Sequence, residues 1–209
     1  MKIQHLIHHF KLALFLILGT LTTEQEIYAQ LVPDNTLPTN SVVKSIDELN
    51  KLIEGGTING ANLFHSFAEF NVSENGSVYF HNPIGIDNIL TRVTGGNISH
   101  ILGTLGVEGT ANLFLINPHG IHFGNSASLD IHGSFTATTA DSIKLGEDGL
   151  FSANLYENSN LLSVQPSALF TNALKNQQAI INNQGNLEVN ESKNITLLGA
   201  NIINTGTLT

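Results

Sequence analysis

Apolar residues in this chain come in short β-prone runs separated by stretches rich in Asn, Gly, Ser and Asp. The plainest case lies in "NLFLINPHGIHFG" (112–124), where Leu113, Phe114, Leu115 and Ile116 follow one another without a polar interruption. Such a run suits a strand buried on both faces better than the alternation of a half-exposed one. The chain must then turn. Pro118 fixes its own φ and biases Asn117 toward extended geometry, the Asn117 side chain can accept a backbone N–H further on, and Gly120 tolerates positive φ. Ile121 and Phe123 resume an apolar alternation around His122. Comparable strands are predicted at "SVYFH" (77–81), "GSFTATTA" (133–140), "LLSV" (161–164), "NLEV" (186–189) and "ITLL" (195–198). One segment, "SIDELNKLIEGG" (45–56), carries helix chemistry, with Ser45 as cap, Glu48 completing a capping box and Gly55 as stop; a plain loop is the alternative.

Internal repetition organises these strands. "INNQGNL" (181–187) aligns with "IINTGTL" (202–208), so Ile181 meets Ile202, Asn183 meets Asn204, Gly185 meets Gly206 and Leu187 meets Leu208. That spacing is what one turn of a β-solenoid requires, because two or three short strands and their corners must return the chain one strand spacing higher. Stacked coils put Leu over Leu inside and Asn over Asn at the corner. A looser echo is "ANLF" at 61–64 and again at 111–114. A hairpin-rich sandwich, which also repeats its turn chemistry, is the alternative architecture.

The first residues stand apart. Lys2 and Lys11 precede and open a short apolar core, "LALFLIL" (12–18), too short for a membrane span, and "IYAQ" offers Ala29 as a small residue at a cleavage position. Residues 1–29 are therefore expected to be a signal peptide that engages the Sec machinery, since Glu24, Gln25 and Glu26 follow the core instead of further apolar residues. Removing it leaves the formal net charge at −9, because two basic and two acidic residues leave together. No run of Lys or Arg exists, which argues against nucleic acid or anionic lipid as partner. Export favours disulfides, yet Cys is 0. Stability must come from packing and hydrogen bonds, within a single domain spanning 30–209.

The series "GGTINGANLFHSFAEFNV", "VYFHNPIGIDNILTRVTGG", "ILGTLGVEGTANLFLINPHGIHFG" and "ASLDIHGSFTATTA" resembles the filamentous haemagglutinin N-terminal domain, the secretion domain of two-partner secretion exoproteins, in the form common in cyanobacteria. The resemblance runs from about residue 31 to about residue 170. It implies an all-β fold, a right-handed parallel β-helix with short extra-helical strands or hairpins, truncated here at its C-terminal end. It also implies no enzyme and no cofactor. The expected role is an address label that an outer-membrane barrel with periplasmic POTRA domains recognises and threads outward, to the cell surface or the medium. The family's Asn-Pro-Asn-Gly-Ile corner falls on Asn117, Pro118, His119, Gly120 and Ile121, with only the third position changed. Its earlier Asn-Pro-Asn-Leu corner falls on Asn82, Pro83, Ile84 and Gly85, which keeps Asn-Pro alone. Whether these corners serve recognition or only make the turn stays open at this level.

The physics of a solenoid supplies a mechanism, since a coil that cannot bury its apolar face without the next one stays extended until a first set of coils has formed. Other functions find less support in the sequence. A polysaccharide-active β-helix enzyme needs converging acids, and Asp87, Asp130 and Asp141 sit in no paired motif. His119, His122 and His132 are the available metal ligands, but residues three apart in a strand face opposite ways, so no structural or catalytic metal is expected. Five Asn-X-Ser/Thr sequons, at Asn71, Asn75, Asn97, Asn190 and Asn194, read as corner chemistry. An adhesin, binding a host surface or a second copy of itself, is compatible with the resemblance. A chain ending on the "NIINTGTLT" coil is expected to leave one apolar face uncovered and one backbone edge unpaired.

Overall fold

The computed structural model describes residues 31–155, 159–161 and 174–209; the expected leader and most of the "LLSV" strand lie outside them. The chain opens with β1 (Leu31–Pro33), β2 (Ser41–Ser45), β3 (Asn50–Gly55), β4 (Thr57–Asn59) and β5 (Asn62–Phe70). It then winds through β6 (Ser77–His81), β7 (Asn88–Val93), β8 (Ser99–Ile101), β9 (Thr104–Glu108), β10 (Asn112–Ile116), β11 (Ile121–Phe123), β12 (Ser128–Asp130) and β13 (Phe135–Thr138). A hairpin, β14 (Ser142–Leu145) and β15 (Gly149–Ser152), leaves the winding, which resumes with β16 (Ile180–Asn183), β17 (Asn186–Leu187), β18 (Ile195–Leu198), β19 (Asn201–Asn204) and β20 (Thr207–Leu208).

Three faces result. The first stacks β5, β7, β10, β13 and β18, the second β8, β11, β16 and β19, and the third β3, β6, β9, β12, β17 and β20. Every pairing between successive coils is parallel, which is the topology of a parallel β-helix and excludes the sandwich. The N-terminal strands close the first coil: β1 and β4 pair antiparallel with β5, and β2 with β3.

The predicted repeat is in register. Ile181 stands on Ile202, Asn183 on Asn204 and Leu187 on Leu208, and Asn183 Nδ2 donates to Asn204 Oδ1 at 2.8 Å. The "ANLF" echo proves to skip a coil, because Asn62 and Asn112 both pair with Asn88, whose own stretch reads "DNIL". An amide ladder ties the three. Asn88 Nδ2 donates to Asn62 Oδ1 at 3.0 Å, Asn112 Nδ2 to Asn88 Oδ1 at 2.9 Å, and the Ser134 N–H closes the row on Asn112 Oδ1 at 2.9 Å. Each amide of the ladder thus finds a partner one coil away.

The helix-like segment at 45–56 is neither helix nor loop. It forms the turn and second strand of the β2–β3 hairpin, with Ser41 opposite Gly55 and Ser45 opposite Lys51. Asp47 makes the turn by accepting the N–H groups of Leu49 and Asn50, and these hydrogen bonds, that of the Asn50 side chain first, hold its carboxyl below the ordinary value. Tertiary pairing overrides the local pattern, since β3 also pairs with β6 and buries Ile53.

The expectation that 113–116 is buried on both faces holds. Leu113 and Leu115 point into the lumen with Ile89, Val93, Phe135 and Ala137, whereas Ile116 faces outward with Phe64 and Leu90 under Ile143, Leu145 and Phe151 of the hairpin. The Phe64 and Phe151 rings meet edge to face at 5.1 Å. This hairpin is the extra-helical element that the resemblance implied.

Arg92, the single arginine of the chain, fastens hairpin to helix. It is 3% exposed, with its guanidinium 4.9 Å from the centre of the Phe151 ring. Nε donates to Ser66 Oγ at 2.8 Å, Nη2 to Thr36 Oγ1 at 2.8 Å, and Nη1 to the Ser152 carbonyl and Ser159 Oγ. Ser66 and Thr36 in turn donate to Asp34, so two hydroxyls relay between a buried cation and a carboxylate. Burial pulls the guanidinium below its ordinary value and the Asp34 charge opposes this. At Asp34 burial works against the charged form, but hydrogen bonds from Thr36, Thr94 and Ser66 prevail and hold its carboxyl low.

Arg92→Ala should therefore cost roughly 3 kcal/mol in denaturant unfolding, because it strands the buried Ser66 Oγ and Ser152 carbonyl and empties the space over Phe151. Arg92→Lys should recover little of this, since an ammonium does not reproduce the planar fork. A second expectation concerns acid. His65 is fully buried, with Nδ1 3.0 Å from Ser41 Oγ and its ring against Phe80, and burial pushes its imidazole down to about 3. The unfolded chain binds this proton near pH 6.5, so the contribution of His65 to stability is complete above that value and is lost as the pH falls toward 3. Calorimetry should show the midpoint dropping between pH 6.5 and 4, while NMR finds the His65 imidazole still neutral at pH 5; a midpoint flat over that range would contradict the assignment.

Candidate functional site

The two Asn-Pro corners border the first face on opposite sides. The Asn82 corner carries the chain from β6 on the third face to β7, and the Asn117 corner carries it from β10 to β11 on the second face. The fold does not merge them into one patch.

Asn117 is completely buried, and every polar group of its side chain is used. Its Oδ1 accepts the His119 N–H at 2.9 Å, the local turn that the sequence predicts, and its Nδ2 donates to the Asn97 carbonyl and to Ser99 Oγ, each at 3.0 Å. The backbone joins in, with Asn117 N–H on the Thr138 carbonyl at 3.0 Å and Gly120 N–H on the Asn117 carbonyl at 3.1 Å. Pro118 presents its carbonyl to Asn176 Nδ2 at 3.1 Å. Gly120 takes φ +131° in a slot where a Cβ would lie 3.0 Å from the Ile180 carbonyl oxygen, so no other residue fits without strain. Ile121 is buried in the core column above Ile181. What this corner shows to solvent is His119 and part of Pro118.

The Asn82 corner works differently. Asn82 Oδ1 accepts the Thr110 and Ala111 N–H groups of the next coil, each at 3.1 Å, while Nδ2 closes its own turn on the Pro83 and Ile86 carbonyls at 3.2 and 3.0 Å. Gly109, at φ +155°, makes room, because a Cβ there would sit 2.3 Å from Asn82 Oδ1. Ile84 at the tip is wholly exposed, an apolar side chain held out by a corner whose polar groups are satisfied inward.

The other candidates do not assemble. Asp87 sits at the entry to β7, Asp130 on the third face accepts the Tyr79 hydroxyl at 2.7 Å, and Asp141 in the insertion pairs with Lys175 at 3.2 Å. His119 lies at a corner, His122 on β11 and His132 beyond β12; among the described residues no three His, Asp or Glu side chains could hold a metal. Sequence reasoning missed Arg92, whose signal was its singularity, and His100, which lies beside His122 only because β8 pairs with β11.

Comparisons with known proteins agree with this fold. The family described as the TPS secretion domain matches residues 29–209, and the chain belongs to it. That is a family of secretion domains of two-partner secretion exoproteins, not of enzymes. A curated relative, the heme/hemopexin-binding protein of Haemophilus influenzae, is 34% identical over 87 residues, which make up 42% of this chain and 9% of that protein. The solved HMW1 secretion domain of Haemophilus influenzae superposes with a TM-score of 0.56 at 24% identity, covering 85% of this chain and 41% of its own. The filamentous hemagglutinin secretion domain does so at 0.54 and 21%, covering 80% and 55%. Both likenesses are of fold. The chain spans less than a tenth of the curated relative and about half or less of the solved chains.

Asn117→Ala leaves the His119 N–H, the Asn97 carbonyl and Ser99 Oγ without their buried partner, so it should lower stability by about 1–3 kcal/mol. His119→Ala, on the same corner but exposed, should change it by less than about 0.5 kcal/mol. Urea unfolding of the two variants checks the pair.

Proposed function

We propose that this TPS secretion domain is an export address, read in the periplasm by the POTRA domains of an outer-membrane barrel while the chain is unfolded, and that it nucleates β-helix folding once outside. The reading includes Sec-dependent entry through residues 1–29 and a final location on the cell surface or in the medium. The family match, which begins at residue 29, supports both. The cyanobacterial form is part of the same reading and rests on the quoted corner stretches.

One observation carries the order of events. In the folded chain the Asn117 amide is spent on Asn97, Ser99 and His119, and the Asn82 amide on its own turn and the next coil. A partner that reads these side chains must therefore meet them before the coils close. An extended segment also offers free backbone groups for strand addition, a mode that a closed ladder denies. Coil-by-coil folding outside then opposes return of the chain and favours outward movement without a nucleotide.

The test is co-expression with the partner barrel, comparing protein in the medium with protein held in the periplasm. Asn82→Ala and Asn117→Ala should lower secretion several-fold more than Leu187→Ala, a lumen variant chosen to lower the unfolding midpoint by a similar amount. If secretion simply tracks the midpoint across all three, the corners act through folding alone and recognition lies elsewhere.

A further inference from the structure

The outward column of the second face carries two imidazoles and an amide. His100 on β8 pairs in register with His122 on β11, and His122 with Asn182 on β16. Parallel register sets neighbouring strands about 4.8 Å apart. The two imidazole centres lie 5.7 Å apart with the rings inclined at 76°, edge to face, so the side chains of two successive coils meet on this face. Both residues are half-buried. Asn182 Oδ1 is fully shielded from solvent and accepts no hydrogen bond, an oxygen donor set beside His122 with nothing to bind.

We infer that His100, His122 and Asn182 form a site for a divalent first-row metal of the zinc, nickel or copper type, with two imidazole nitrogens and one amide oxygen as ligands and water completing the shell. Imidazole is the ligand these borderline ions share, and a column of three residues on three strands presents it without rearranging the backbone. Two of the three, His122 and Asn182, line a shallow hollow of about 290 Å³ together with His119 and Ile203, and His100 lies beside it against His122. The net charge of −9 draws cations to the surface.

These ligands differ from the His119, His122 and His132 grouping from which the sequence predicts no metal. His100 reaches His122 only through strand pairing, and Asn182 arrives from beyond the insertion. An ion here would pin three coils on the face that the hairpin leaves uncovered, tying the resumed winding at β16 to the coils before it.

The experiment uses tag-free protein stripped with chelator and titrated with zinc chloride by calorimetry. One ion per chain is expected. His100→Ala and His122→Ala should each weaken binding more than about tenfold, the least that loss of even an outer-shell partner costs, while His132→Ala binds like the parent. Zinc should raise the unfolding midpoint of the parent and of His132→Ala, and of neither other variant. Copper electron paramagnetic resonance on the unsubstituted protein gives a reading independent of any variant, with two nitrogen ligands expected. No saturable zinc uptake, affinity unchanged by both substitutions, or a copper spectrum without nitrogen ligands would each overturn the assignment.

Discussion

A coil of this β-helix can satisfy its backbone and cover its inward side chains only against the coils next to it, and everything else in the structure follows from that dependence. Along the first face, Leu63, Ile89, Leu113, Phe135 and Ile195 fall in one column because the register between successive coils does not slip. A one-residue slip would turn every such side chain to the opposite face. The polar columns obey the same rule. The buried Asn62 and Asn88 and the half-buried Asn112 are accommodated as each amide bonds the next, and the row ends where a backbone N–H, that of Ser134, takes the last acceptor.

The same dependence makes an uncovered coil a liability, and the N-terminal end answers it with strands of opposite direction. β1, β2 and β4 pair antiparallel on the first coil, so parallel growth cannot continue past them. Arg92 extends the closure sideways. Its guanidinium gathers the segment after β1, the first face and the extra-helical hairpin through Thr36, Ser66 and Ser152, and reaches the Asp34 charge by way of hydroxyls. At the other end, Ile202 in the inward column beneath Ile181 is 47% exposed.

How much of this was legible follows from how regular the coils are. The repeat at 181–187 and 202–208 could be read because those two coils are joined without an insertion, so equal positions keep equal spacing. Earlier coils are uneven. Asn62 pairs with Asn88 and Asn88 with Asn112, steps of unequal length, and Phe135 finds Ile195 only across the whole insertion. A fixed period cannot survive that, which is why the "ANLF" echo linked coils that do not touch. The corner at Asn117 was legible since its turn chemistry is local. The segment at 45–56 was misread for the converse reason: its capping pattern is local, whereas the pairing of β3 with β6 that decides its conformation is not. Arg92 and the His100–His122 contact share this non-local origin.

Under the proposed function the two Asn-Pro corners join folding to export. Asn117 holds three groups that a bare turn would leave unsatisfied, and two of them, the Asn97 carbonyl and Ser99 Oγ, belong to the preceding coil. Asn82 likewise caps N–H groups of the coil that follows it. Neither amide reaches its full complement of bonds until a neighbouring coil is in place, so each behaves as a latch between coils and not as a finished turn. Until then the same amide is an exposed donor and acceptor on a flexible segment, the state in which a second protein can bind it. Folding supplies each amide with a better-organised set of partners from the chain itself, which on the proposed reading would displace such a contact. In the proposed export role, a side chain available only before its coil closes would serve the transporter first and the fold afterwards, with release built into the act of folding.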